Sequence, residues 1–169
     1  SAVMVIDGAK GVEPQTRKLF KVCVMRHIPI FTFVNKMDRD AMDTFELMDD
    51  IEKELGIATC PINWPIGSGK EFRGVYDRKS EDVLLFSDTK KGTKEGIEED
   101  ISIKDPAINS KLSDKEISTL NEEIELLDGA SIPLDMDSVS KGEQTPVFFG
   151  SALTNCGVET FLYNLFFSR

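Results

Sequence analysis

The sequence predicts an α/β fold: a parallel sheet interrupted by a smaller α+β insertion. Three observations carry this. Residues 2–6 and 28–34 are nearly unbroken apolar runs, the pattern of strands buried on both faces. A stretch with helical spacing follows each of them. The same strand-then-helix order returns at residues 145–149 and 157–167, and such alternation belongs to parallel sheets.

The first strand ends at Asp7-Gly8, and a loop runs through Gly11. Glu13-Pro14 then opens a helix, with proline in the first turn and an acid at its N-terminal end. Leu19, Val22, Cys23 and Arg26 lie at helical spacing, and Arg26-His27 suits the C-terminal end. The second strand tolerates Pro29 because it sits near the strand start. Asp43-Thr44 is set to cap a second helix bearing Phe45, Met48, Ile51 and Leu55, and Gly56 is set to stop it. From Pro61 the pattern changes. Residues 64–69 are turn-rich, 71–76 and 82–87 read as a hairpin, 89–96 as a charged loop holding Lys90, Lys91 and Lys94, and 97–103 as a third short strand. Ile117, Leu120, Ile124 and Leu127 mark an amphipathic helix over 113–127, which Asp128-Gly129 is expected to end. A short helical turn is expected within 131–143. The final helix carries Val158, Phe161, Leu162 and Leu165 as its apolar face. The division expected is residues 1–60 with 145–169 as one unit and 61–144 as the insertion.

Composition bounds the function. Of 169 residues, 40% are hydrophobic, enough for a core, and the formal net charge is −10. That charge makes a poor general binder of naked nucleic acid, so DNA is not an expected partner. Three cysteines without a C-x-x-C pair, and a single histidine, offer no zinc site and suit a reducing cytoplasm. No apolar run approaches membrane length. The chain begins inside an apolar run, which suggests a cut from a longer chain. Trp64 is expected to pack where the insertion meets the sheet, and Cys156 is a candidate exposed thiol.

In open α/β sheets, ligands bind outside the carboxyl ends of the strands. Two loops leave such ends: Asn35-Lys36-Met37-Asp38 after the second strand, and Gly150-Ser151-Ala152-Leu153 after the last. A carboxylate only accepts hydrogen bonds. Guanine offers two adjacent donors, its ring N1–H and its exocyclic amine, and Asp38 can accept both. Adenine has no such pair and would leave the carboxylate unpaired, which is the source of discrimination. The Lys36 stem can lie along base or ribose. Asn35 can tie the two loops together, and Ser151 and Ala152 can offer N–H groups to the base oxygen. Asn-Lys-x-Asp alone is a common tetrapeptide. Its position after a buried strand, paired with a later strand–Gly–Ser–Ala loop, makes it specific.

On these motifs the chain resembles the guanine-nucleotide-binding domain of translational GTPases, over nearly its whole length. Asp7-Gly8-Ala9-Lys10-Gly11-Val12-Glu13 is similar to the segment after the second switch region of that superfamily. Phe33-Val34-Asn35-Lys36-Met37-Asp38-Arg39 is similar to its base-specificity motif, and Gly150-Ser151-Ala152-Leu153 to its last guanine loop. The long insertion points to the elongation factor G group and its relatives. Residues 61–77, 125–130 and 142–150 resemble the GTPase class of bacterial peptide chain release factor; residues 80–112 match neither branch closely.

The resemblance implies a partial P-loop GTPase sheet with an α+β insertion. It also implies GTP or GDP as ligand, and a cytoplasmic role on the ribosome in removing the factors that recognise stop codons. The guanine pocket would comprise Asn35, Lys36, Asp38, Ser151, Ala152 and Leu153. The chain contains no G-x-x-x-x-G-K-[ST] phosphate loop. Gly67-Ser68-Gly69-Lys70 fails the pattern, with Trp64 at the first glycine position and Glu71 at the hydroxyl position. The family's phosphate loop and catalytic histidine are expected upstream of Ser1, so Mg²⁺ would enter only through that segment. No catalytic and no metal-ligating residue is assigned in this chain. Two alternatives stay open: an elongation-factor-G-like translocation GTPase, and a truncated module that only contacts partners.

Overall fold

The computed structural model describes residues 1–86 and 98–167. The expected charged loop at 89–96, with its three lysines, and Ile97 of the third short strand lie outside these residues.

Four parallel strands form the main sheet: β1 (Ala2–Asp7), β2 (Ile30–Asn35), β3 (Ala58–Pro61) and β8 (Gln144–Phe149), in the order β1-β2-β8-β3. β2 and β8 are central and almost wholly buried, as their unbroken apolar runs require. The buried hydroxyls of Thr32 and Thr145 satisfy each other at 2.8 Å. Thr145 also donates to the Ile30 carbonyl. β1 is an edge strand. Met4 and Ile6 face the core, while Val3 and Val5 remain substantially exposed on the alternate face.

Helices α1 (Pro14–Met25) and α2 (Thr44–Leu55) connect the first three strands. Pro14 opens α1. Its buried residue is Phe20; Cys23 and Val24 are partly buried against the core, while Leu19 and Val22 stay exposed. The Asp43 side chain accepts from the N–H groups of Phe45 and Glu46, and Gly56 closes α2 at φ 66°, a conformation glycine adopts without cost.

A second sheet is antiparallel, in the order β4 (Asn63–Ile66), β5 (Gly74–Asp77), β6 (Asp82–Phe86) and β7 (Glu98–Ser102). β3 and β4 were not expected from the sequence. Both are four-residue edge strands carrying a proline, Pro61 and Pro65. Edge positions are where a sheet accepts a residue without an N–H. The expected hairpin strand at 71–76 begins later, because Gly69–Glu71 forms a 3-10 turn.

α3 (Asp114–Ala130) starts with a capping box between Ser113 and Glu116 and runs through Gly129, one turn past the expected stop. A Cβ at Gly129 would meet nothing. α4 (Met136–Lys141) and α5 (Val158–Phe167) pack on the opposite face of the parallel sheet, against Phe31, Phe33 and Phe148. Phe161 is the buried residue of α5, while Phe166 and Phe167 are exposed.

Trp64 is fully buried. Its ring packs on Phe45 of α2 and edge-on to Phe149 of β8, at 4.8 and 5.5 Å between centroids. Its indole N–H donates to Glu123 of α3 at 2.8 Å. One residue therefore joins the two sheets and two helices, as expected of a tryptophan whose polar handle finds a partner.

Candidate functional site

β2 delivers residues 35–38 to the carboxyl end of the sheet, and β8 delivers residues 150–153 beside them. Backbone hydrogen bonds stitch the two loops together. Gly150 N–H donates to the Val34 carbonyl at 3.0 Å, and Met37 N–H donates to the Gly150 carbonyl at 3.1 Å. Met37 is fully buried, which anchors the loop between Lys36 and Asp38. Gly150 must be glycine here: a Cβ would lie 2.4 Å from the Cys156 carbonyl oxygen and 3.0 Å from the Phe33 ring.

The Asn35 amide oxygen accepts the N–H of Lys36 at 2.8 Å and that of Ala152 at 2.9 Å. One side chain thus spans the two loops. Lys36 takes a left-handed conformation, φ 69°. Its ammonium meets Asp7 Oδ2 at 2.6 Å.

Asp38 is half-buried, and its Oδ1 is the one buried side-chain nitrogen or oxygen without a hydrogen-bond partner among the described residues. Such a group costs about 1–3 kcal/mol, more when charged, and so demands an explanation. An unsatisfied acceptor in this loop fits a ligand that brings donors. The guanine edge does so.

The second loop is tight. Ser151 is buried and exchanges backbone hydrogen bonds with Cys156, at 3.1 and 3.0 Å. Its hydroxyl accepts the Thr154 N–H at 3.4 Å. The N–H groups of Ser151 and Ala152, expected to face the base oxygen, are thus engaged within the protein. Leu153 is strongly exposed. Cys156 is fully buried, so the exposed-thiol expectation is corrected; the bridge to Ser151 turns it inward.

Three supporting residues were not anticipated. Asp7, at the end of β1, pairs with Lys36. Its carboxyl is held below its ordinary value, first by the Lys36 hydrogen bond and then by the Ala9 N–H. Asn63 is buried, and its amide donates to the Phe149 carbonyl at 3.0 Å and accepts the Phe149 N–H at 2.7 Å. β3 ends at Pro61 and Ile62 N–H bonds the Val147 carbonyl, so the Asn63 side chain supplies the next rung beside β8. A polar residue inside the apolar run 62–66 was its only sequence signal. Gly69 N–H donates to the Met37 carbonyl at 2.9 Å, and a Cβ there would meet Asp40 at 2.9 Å. The glycine-rich turn after β4 is therefore a buttress beneath the first loop.

A cleft of about 690 Å³ lies between the N-terminal ends of α2 and α3 and includes none of the six predicted residues. Asp43 and Ser113 already cap those ends, and no unsatisfied group points to a ligand there. Among the described residues, no group of three His, Cys, Asp or Glu is gathered that could hold a metal ion. Among them also, no helix is long and apolar enough to cross a membrane.

A parallel α/β sheet with paired loops at its carboxyl end is the architecture in which open α/β domains bind ligands, nucleotides among them. The family model described as elongation factor Tu GTP binding domain matches residues 1–167, and the chain belongs to that family. It is similar to the peptide chain release factor 3 of Symbiobacterium thermophilum, 54% identical over 96% of this chain and 31% of that protein. The proteins of the same name from Acaryochloris marina and Trichodesmium erythraeum are each 51% identical, over 96% of this chain and 30% of theirs. The chain thus spans about a third of the length of the curated relatives it matches.

Proposed function

We propose that this chain is the guanine-reading part of a ribosome-dependent GTPase of translation termination, one that promotes release and recycling of the factors that recognise stop codons. The observation that carries the reading is the orphaned Oδ1 of Asp38, buried in the loop that Asn35 ties to Ala152. Asp38 accepts the two guanine donors. Asn35 holds the loops in register. Lys36 lies along the base or ribose. Ser151, locked by Cys156, shapes the second loop, and Ala152 with Leu153 lines the base-oxygen side. Because the Ala152 N–H already bonds Asn35, a base oxygen shares that donor rather than finding it free.

Residues 1–60 and 145–169 form the C-terminal half of the GTP-binding domain in this reading, with 61–144 as its insertion. Phosphates and Mg²⁺ are held by residues outside this chain, which alone is not catalytic. Base contacts without phosphate contacts give a dissociation constant of roughly millimolar or weaker, near −4 kcal/mol. The resemblance to translation factors, not the fold, supports ribosome partnership and a cytoplasmic location.

Titrating GDP and ADP into the chain under amide NMR tests the pocket. GDP-specific shifts at Lys36, Asp38 and Ala152 are expected. Equal responses to both nucleotides would sink the base-reading assignment. Asp38→Asn should exchange guanine for xanthine preference, since an amide can donate to the xanthine C2 oxygen; loss of GDP response without a gain for xanthosine diphosphate counts against it.

A further inference from the structure

Asp7 is built into the site more firmly than a strand end requires. β1 and β2 run in register, so Asp7 and Asn35 are neighbours at the carboxyl end of the sheet. Asp7 Oδ1 accepts the Ala9 N–H at 2.9 Å. Its carbonyl accepts the N–H groups of Lys10 and Gly11, at 3.0 and 2.9 Å. The Gly8 N–H bonds the Asn35 carbonyl at 2.9 Å, and a Cβ on Gly8 would meet that same oxygen at 3.1 Å and the Met37 sulfur at 3.2 Å. The turn after β1 is pressed against the first loop and has no room to shift. That leaves Oδ2 fixed in place, and the Lys36 ammonium bonds it at 2.6 Å. The Asp7 side chain is only 14% exposed, against 46% for Lys36.

Lys36 is thus held at both ends. Its backbone N–H is taken by Asn35 and its ammonium by Asp7. A lysine left free samples many rotamers, and a ligand that needs it in one place must order it. We propose that Asp7 is a positioning residue for guanine-nucleotide binding, whose carboxylate sets the Lys36 side chain before the base arrives. This rests on the reading of residues 35–38 and 151–153 as the guanine loops. The Asp7 carboxyl is held below its ordinary value, first by the Lys36 hydrogen bond and then by the Ala9 N–H, in keeping with this pairing.

The test uses the 169-residue chain, GDP as ligand and ADP as control. Asp7→Asn keeps an acceptor for Ala9 and removes the charge. In the wild type the two ε-methylene protons of Lys36 are expected to be non-equivalent by NMR, and in Asp7→Asn to merge. GDP affinity should fall roughly three- to tenfold, the range for un-ordering one long side chain, with guanine preference over ADP retained. In a Lys36→Met background, Asp7→Asn should change GDP affinity no further, which a merely structural role for Asp7 would not produce.

Unchanged or tighter GDP binding in Asp7→Asn overturns the inference while leaving the pocket reading in place. So does the same weakening in the Lys36→Met background. A wild type that answers GDP and ADP alike overturns the pocket reading, and the inference with it.

Discussion

Replacing Asn63 by alanine removes the amide that stands in for a missing rung of β3. Phe149 then loses the acceptor of its N–H and one donor to its carbonyl. Both groups end a strand that is buried along its whole length. The Asn63 side chain is itself 1% exposed, so water does not take its place without reorganisation. Each buried backbone group left unpaired costs about 1–3 kcal/mol. The two together come to about 2–6 kcal/mol, a large share of the roughly 5–15 kcal/mol that holds a domain folded. With a urea slope of about 1–3 kcal/mol per molar, the unfolding midpoint should fall by at least about 0.7 M. Trp64 is the single tryptophan, and it is fully buried against Phe149, so its fluorescence follows the transition directly. Asn63→Asp keeps the acceptor and loses the donor, and should fall between wild type and alanine. A midpoint within about 0.3 M of wild type for Asn63→Ala would refute the claim that this amide completes the strand.

Gly150→Ala should cost on the order of 2–3 kcal/mol, because its Cβ would collide with the Cys156 carbonyl and the Phe33 ring. Hydrogen exchange at the Ser151 and Cys156 amides should accelerate, and unchanged protection would show that the loop has more room than the distances allow. Burial raises the Glu123 carboxyl above its ordinary 4.5, opposed by the Trp64 hydrogen bond and reinforced by Asp43 and Glu122. The folded state then binds this proton more tightly than the unfolded state. The stability that Glu123 contributes is therefore present below the unfolded value and declines as pH rises through the folded one. Glu123→Gln keeps an acceptor for the indole and should flatten this decline, so wild-type stability relative to the variant falls from about pH 4 to about pH 8; a rise would reverse the sign argued here. Val5 is 57% exposed on the open edge of the parallel sheet. The wild type should self-associate with concentration in sedimentation, and Val5→Lys should suppress this while changing stability by less than about 0.5 kcal/mol. A strictly monomeric wild type would remove the edge as its cause.

The strands and helices that carry strong local patterns were legible without coordinates. β2 and β8 are buried on both faces, so apart from Asn35 and Gln144 at their ends their sequences show mostly apolar residues, with Thr32 and Thr145 satisfied by each other. α2 announces both its ends, because Asp43 caps the start with its side chain and Gly56 closes the end with its left-handed backbone, both local devices. β3 and β4 were hidden by Pro61 and Pro65, which read as turn residues until the edge position of each strand is known. α3 overran Gly129 because a glycine stops a helix only where the chain must turn, and packing of Leu120 and Leu127 carries it on. α1 showed the limit of periodicity. Several apolar residues share its faces, and only the position of the sheet selects Phe20 for burial and leaves Leu19 outside.

The sequence by itself determined the kind of domain, its family, and the two loops that belong together. Those features are written in local pattern: buried runs, helix ends, and short motifs at the ends of strands. Only the tertiary structure decided what holds the loops in place. Asp7, Asn63 and Gly69 reach the site from β1, β4 and the turn after β4. Asp7 lies 29 residues from Lys36 and Asn63 lies 86 from Phe149 along the chain. Hydrogen bonds between such distant residues leave no periodicity behind, because their partners are chosen by how strands are ordered in the sheet. The orphaned oxygen of Asp38 is of the same kind. A sequence names the carboxylate, and only packing shows that no described residue satisfies its Oδ1.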